Sequence, residues 1–187
     1  MDEKEWMTDV LQEIQRRLNE QDSSLTMKQG VKLPYGSEAI RYESSGPKFK
    51  PIAFETDLLL IEQLDSEIWK PRVVIEGKLR SITTHDAITY SHKARSHKAV
   101  HPDLRYGILI GDRRHYPLPG RLFRHGEYFD FMQSWVSAEP SLQEIDSLIA
   151  VLIDEVRASK LLEEILYNSR SPTRERFTLL HRQLKLK

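Results

Sequence analysis

Asp57, Glu76 and Lys78 are the residues whose types and spacing could do chemistry. Asp57 stands directly ahead of the apolar run Leu58-Leu-Leu-Ile61, and Glu76-Gly-Lys78 closes the apolar run Val73-Val-Ile75. Both runs have the length and composition of buried strands. Strand side chains alternate faces, so Glu76 and Lys78 project from the same face. If the two strands are neighbours, Asp57 joins them in a cluster of two carboxylates and an ammonium. Paired carboxylates make a hard oxygen site suited to Mg²⁺. A lysine beside them can orient or deprotonate a water, or neutralise charge developing on a phosphate. The bland alternative for each strand alone is an ordinary strand end with a solvated ion pair.

The elements that must position these residues follow from periodicity and punctuation. Trp6, Met7, Val10, Leu11, Ile14 and Leu18 make one apolar stripe and predict a helix over 2–21. Residues 22–37 lack periodicity and carry Gly30, Pro34 and Gly36, which reads as a connection. A first strand is expected at 38–43 and a turn at Ser44-Ser-Gly-Pro47. A second strand is expected at 51–62, with Pro71 opening a third. Thr83 and Asp86 form a helix-start box, with a helix running to about Val100 and ended by His101-Pro102. Residues 105–111 give the next strand. Pro140, Ser141 and Glu144 then start a helix to about Tyr167, and Ser171-Pro172 starts a shorter basic one. The order predicts an α/β domain: a mixed four- or five-stranded sheet flanked by helices, with a helical C-terminal part. One domain over 1–187 is expected, with an N-terminal helix at 1–21, a core at 38–112 and C-terminal helices at 141–187.

Acid at the head of one strand, Glu-x-Lys at the end of the next, then a polar helix and an apolar strand: this order resembles the PD-(D/E)XK nuclease superfamily, the restriction-endonuclease-like fold. The resemblance covers roughly residues 38–112. Thr56 stands where the family name has proline, and Gly77 stands where the family usually has an apolar residue. The resemblance implies a metal-dependent endonuclease acting on double-stranded DNA. It implies Mg²⁺, with Mn²⁺ as a substitute, held by Asp57, Glu76 and the backbone carbonyl of Gly77, and Lys78 as the third catalytic group. A polar or basic residue of the following helix often supports such a cluster, which singles out Tyr90 and Lys93. Some members add an acid from the first helix. Glu13 is one choice, with Glu3 and Glu5 as competitors.

Residues 92–124 hold eight Lys or Arg, Lys93, Arg95, Lys98, Arg105, Arg113, Arg114, Arg121 and Arg124, against two Asp. A local basic stripe is a footprint of phosphate binding, a solvated polar face being the alternative. Tyr90, Lys93, Arg113 and Arg114 are the expected nucleic-acid contacts. Five of the seven histidines lie between 85 and 115. His97 and His101, four apart, have the spacing of a metal pair, but no carboxylate completes the set, and phosphate or surface roles fit better.

Formal charge is zero, from 28 basic and 28 acidic residues, which argues against a histone-like binder without excluding a DNA enzyme. Cysteine is absent, which removes disulfides, thiolate metal sites and cysteine nucleophiles. No apolar run approaches the ~20 residues that span a bilayer, and the acidic N-terminus does not read as a signal peptide. A soluble cytoplasmic protein without membrane contact is the expectation. Cleaving a duplex takes two sites, so a homodimer is expected, with the stripe Leu142, Ile145, Ile149, Leu152 and Val156 as its interface. The expected role is restriction-type cleavage. The alternatives are a repair, recombination or phage nuclease, a non-catalytic nucleic-acid-binding module, or a protein-interaction domain.

Overall fold

The computed structural model describes residues 2–114 and 118–167. Helix α1 (Glu3–Gln21) opens on a capping box, in which the Glu5 amide donates to the Asp2 carboxylate at 2.8 Å and the Asp2 amide donates to Glu5 at 2.9 Å. Its stripe Trp6, Met7, Val10, Ile14 and Leu18 is buried.

Residues 22–37 are not a bare connection. They contain strand β1 (Leu25–Gln29) and the start of β2 (Lys32–Glu43). The strand expected at 38–43 is therefore longer. It pairs with β3 (Gly46–Glu55) in a separate two-stranded sheet, not in the central one. The strand expected over 51–62 is two strands, because the chain turns a corner between β3 and β4 (Leu58–Gln63). Thr56 fixes that corner. Its amide and hydroxyl both donate to the Val31 carbonyl, at 3.0 and 3.1 Å, and its carbonyl accepts from the Gly30 amide. A proline there would lack the amide that makes one of these bonds.

The remaining elements are β5 (Trp69–Leu79), α2 (Thr84–Val100), β6 (Arg105–Gly111), the short α3 (Gly120–His125), β7 (Phe131–Ser134) and α4 (Leu142–Tyr167). The sequence pattern does not signal α3 or β7, which are six and four residues long. The central sheet has five strands in the order β1-β4-β5-β6-β7. β1, β4 and β5 pair antiparallel, and β5, β6 and β7 pair parallel. The fold is thus α/β with a mixed five-stranded sheet flanked by helices. Both predicted boxes are present: Thr83 with Asp86 starts α2, and Ser141 with Glu144 precedes α4.

Both sheet faces are covered, which is why the central strands are continuously apolar. Leu58, Leu60, Val73, Ile75 and Leu109 pack with α1 and α4, while Leu59, Ile61, Val74, Ile108 and Ile110 pack on the other face with α2 and β2. Gly77 belongs to the α1 face by this alternation, and Glu76 and Lys78 to the α2 face. A Cβ on Gly77 would lie 2.0 Å from Met7 Sδ, and one on Gly111 would lie 2.4 Å from the Trp6 ring. Glycine in Glu-Gly-Lys is thus the means by which α1 approaches the strand.

The α4 stripe does not offer a dimer surface. Ile145, Ile149, Leu152 and Val156 are buried in the core of the same chain, while Leu142 is exposed away from it. Ion pairs of Arg105 with Glu155, and of Arg72 with Glu163, tie this helix to the sheet. The expected basic helix from Ser171 lies outside the described residues. Among the described residues no helix is long and apolar enough to cross a membrane.

Candidate active site at one end of the central sheet

Strand register brings two of the predicted residues, Asp57 and Glu76, together. Leu58 pairs with Ile75 in the antiparallel β4–β5 ladder, so the next step sets Asp57 level with Glu76. Asp57 Oδ2 accepts a 2.8 Å hydrogen bond from the Gly77 amide. Asp57 Oδ1 takes no hydrogen bond among the described residues. Glu76 and Lys78 lie where β5 runs out, at the carboxyl end of the parallel strands. Open α/β sheets place their ligand crevices at this end.

Glu76 is fully buried. Lys93 Nζ lies 2.8 Å from its Oε1 and 3.0 Å from its Oε2, and also donates to the Glu55 carbonyl at 3.1 Å. The Tyr106 hydroxyl donates to Glu76 Oε1. Burial pushes the Glu76 carboxyl up to about 7. The Lys93 ammonium opposes that shift and the Asp57 carboxylate adds to it. Burial and the same two acids hold the Tyr106 phenol well above its usual value, so it remains a donor.

Lys78 faces a different set. Its Nζ donates to Glu3 Oε1 at 3.2 Å, lies 3.9 Å from Asp86 Oδ1, and sits 5.3 Å from the Tyr90 ring centroid. Burial works against its charge, but Tyr90 and Glu3 outweigh that and raise its pKa. Lys78 is therefore a fixed cation at neutral pH. It can bind and neutralise an anion. Tyr90 is flanked by both lysines, with Lys93 Nζ also 5.3 Å from its ring centroid.

The first-helix acid that reaches the cluster is Glu3, which also accepts from the Leu79 amide at 3.3 Å. Glu13 instead pairs with Arg16 and Arg17, and Glu5 is engaged in the α1 cap. Glu3 could have been found only from the seating of Met7 on Gly77, which swings the first turn of α1 over β5.

The basic residues do not form one stripe. Lys98 pairs with Asp130, and Arg105 with Asp130 and Glu155, so both are used inside the fold. Arg113, Arg114 and Arg121 cluster at the site end instead. Arg113 donates to the Arg80 carbonyl and Arg121 to the Ile82 carbonyl, while Arg114 reaches Asp112. Arg80, missed in the sequence, joins them. Arg80 and Asp112 end β5 and β6 in left-handed conformations, with φ of 69° and 56°, and their side chains pair at 3.1 Å. Non-glycine residues held in that region cluster at functional sites.

His97 and His101 are not a metal pair. His97 is buried, donates Nε2–H to the Leu33 carbonyl at 3.1 Å, and burial lowers its pKa to about 4, so it stays neutral. His101 reaches the Pro34 carbonyl at 3.0 Å. Together they dock β2 onto α2.

Asp57 and Glu76 suit a divalent cation in their chemistry. They are hard oxygen donors at the same level of adjacent strands, and the buried Glu76 already has a cation against both oxygens. No protein-family model matches the chain, and no curated protein matches it in sequence.

Proposed function

We propose that this chain is a metal-dependent endonuclease that hydrolyses phosphodiester bonds in double-stranded DNA. The carrying observation is that Asp57, bonded to the amide inside Glu-Gly-Lys, stands level with Glu76 on the neighbouring strand, with Lys78 two residues on along the same face of β5. Asp57 and Glu76, with the Gly77 carbonyl, would hold Mg²⁺ or Mn²⁺. Such a metal would supply a lowered water pKa and neutralise charge on a phosphate. Lys78 supplies a fixed positive charge for the same phosphate, oriented by Tyr90 and Glu3. Tyr106 holds Glu76 in place.

Two further features, an arginine cluster and an exposed ribbon, support a duplex as substrate. Arg80, Arg113, Arg114 and Arg121 surround the same end of the sheet, where they can track backbone phosphates. β3 ends two residues before Asp57, so the β2–β3 ribbon is joined to the site. Its outer half is exposed, Arg41, Tyr42, Lys48 and Phe49 included. A two-stranded ribbon is a shape the major groove admits. Restriction-type cleavage is the role we favour, with a homodimer as the working assembly through a surface other than the α4 stripe. Incubation of supercoiled plasmid with Mg²⁺ or with EDTA tests the reading: nicked or linear product with Mg²⁺ alone supports it, and intact plasmid in both refutes it.

A further inference from the structure

Lys93 does more in this geometry than support the cluster. One ammonium touches three oxygens of two elements, both oxygens of Glu76 and the carbonyl of Glu55. That is the donor chemistry of a hard-cation site, carboxylate plus backbone carbonyl. Glu76 is fully buried, and Lys93 is the cation that compensates it. Lys78, the other ammonium nearby, is committed to Glu3 and Asp86. A divalent cation bound to Glu76 would meet Lys93 at the same oxygens, and two cations cannot share them at contact distance without strong repulsion.

We propose that Lys93 is a built-in competitor of the metal: it neutralises Glu76 in the metal-free protein and is displaced when a divalent cation binds. This rests on the metal-site reading above and adds its regulation. The displaced ammonium has a short way to go. It is anchored on α2 beside Tyr90, whose ring already lies 5.3 Å from both lysines. Displacement moves its charge away from Glu76 toward the open end of the sheet, where Lys78 and a phosphate would sit. Metal binding and the assembly of an anion-binding pair are then one event, and metal affinity is lowered by the energy of breaking the Lys93 contacts. The fully buried carboxylate keeps a partner at every stage, which its burial requires.

The test reads metal affinity and not cleavage. Mn²⁺ is titrated calorimetrically into wild type, Lys93→Met and Lys93→Arg, each checked for folding by its melting curve. Lys93→Met should bind Mn²⁺ about tenfold tighter than wild type, the scale on which one neighbouring group alters metal affinity. Lys93→Arg, which keeps the cation, should bind no tighter than wild type. A wild type that binds Mn²⁺ while Lys93→Met binds no tighter overturns the displacement and leaves the nuclease reading standing. Absence of Mn²⁺ binding in wild type and Lys93→Met alike overturns both. A second measurement needs no variant: reductive methylation of wild type, read by mass spectrometry, should modify Lys93 faster with saturating Mn²⁺ than with EDTA. An equal or slower rate overturns the proposal.

Discussion

The Gly77 amide donates a 2.8 Å hydrogen bond to Asp57 Oδ2, so the middle residue of Glu-Gly-Lys holds the acid of the neighbouring strand. The last ladder pair between these strands is Leu58 with Ile75. Beyond it the Asp57 side chain takes over the role of the missing backbone partner. Asp57 thus has a structural role beside the catalytic one proposed for it, and substitutions separate the two. Asp57→Asn keeps an acceptor for the amide and removes the charge, so it should melt near wild type while losing more than about 100-fold in cleavage. Asp57→Ala leaves a buried amide unpaired and should also lose about 1–3 kcal/mol of stability. Equal stability of the two variants in urea denaturation would contradict this assignment.

Glu76 makes a pH-dependent contribution of known sign. Burial holds its carboxyl at about 7, against an ordinary 4.5. Between those values the unfolded chain has released the proton and the folded chain still holds it. Stability therefore falls as pH rises through this window and loses nothing further above it. Glu76→Gln cannot ionise, so its stability relative to wild type should improve between about pH 5 and about pH 8 in EDTA, while cleavage is lost. Denaturation curves at the two pH values check this. Parallel changes in both proteins would show that Glu76 ionises alike in the folded and unfolded chains.

The close approach of α1 is testable at its contact. Gly77→Ala puts a methyl 2.0 Å from Met7 Sδ and should cost about 1–3 kcal/mol by overpacking. Met7→Ala makes room, so the double variant should be more stable than the sum of the two single losses predicts. Additive losses in a double-mutant cycle would mean that Met7 does not fill this space.

Salt dependence separates the arginines of the site end from the cations used inside the fold. Arg114→Ala should reduce the slope of log binding constant against log salt by about 1. Lys98→Ala should leave the slope unchanged, because Lys98 is paired with Asp130. A slope that changes for Lys98 and not for Arg114 would move the nucleic-acid surface to the other end of β6.

Much of this arrangement is legible in the sequence where the signal is local. The α1 stripe, both helix-start boxes, and the strands carrying Glu76, Lys78 and Ile108 follow from periodicity and capping residues within a few positions. Asp57 heads one apolar run and Glu76 closes the next, so antiparallel pairing of the two strands sets them side by side. What escaped depends on distant partners. β1 is five residues long and β7 four, so each is too short to stand out as a strand. The corner at Thr56 is invisible because its hydrogen bonds go to Val31, twenty-five positions away. The sequence does not choose among Glu3, Glu5 and Glu13 because the choice turns on Met7 meeting Gly77 across seventy positions. The α4 stripe looks the same in sequence whether it covers a core or a partner, and here it covers the core.

Incubation of supercoiled plasmid with wild type and with Glu76→Gln, each with Mg²⁺, Mn²⁺ or EDTA, tests the central claim most directly. The account predicts nicked and linear DNA only for wild type with a divalent cation, and intact plasmid in every other reaction. Equal cleavage by Glu76→Gln and wild type, or cleavage by wild type in EDTA, would contradict it.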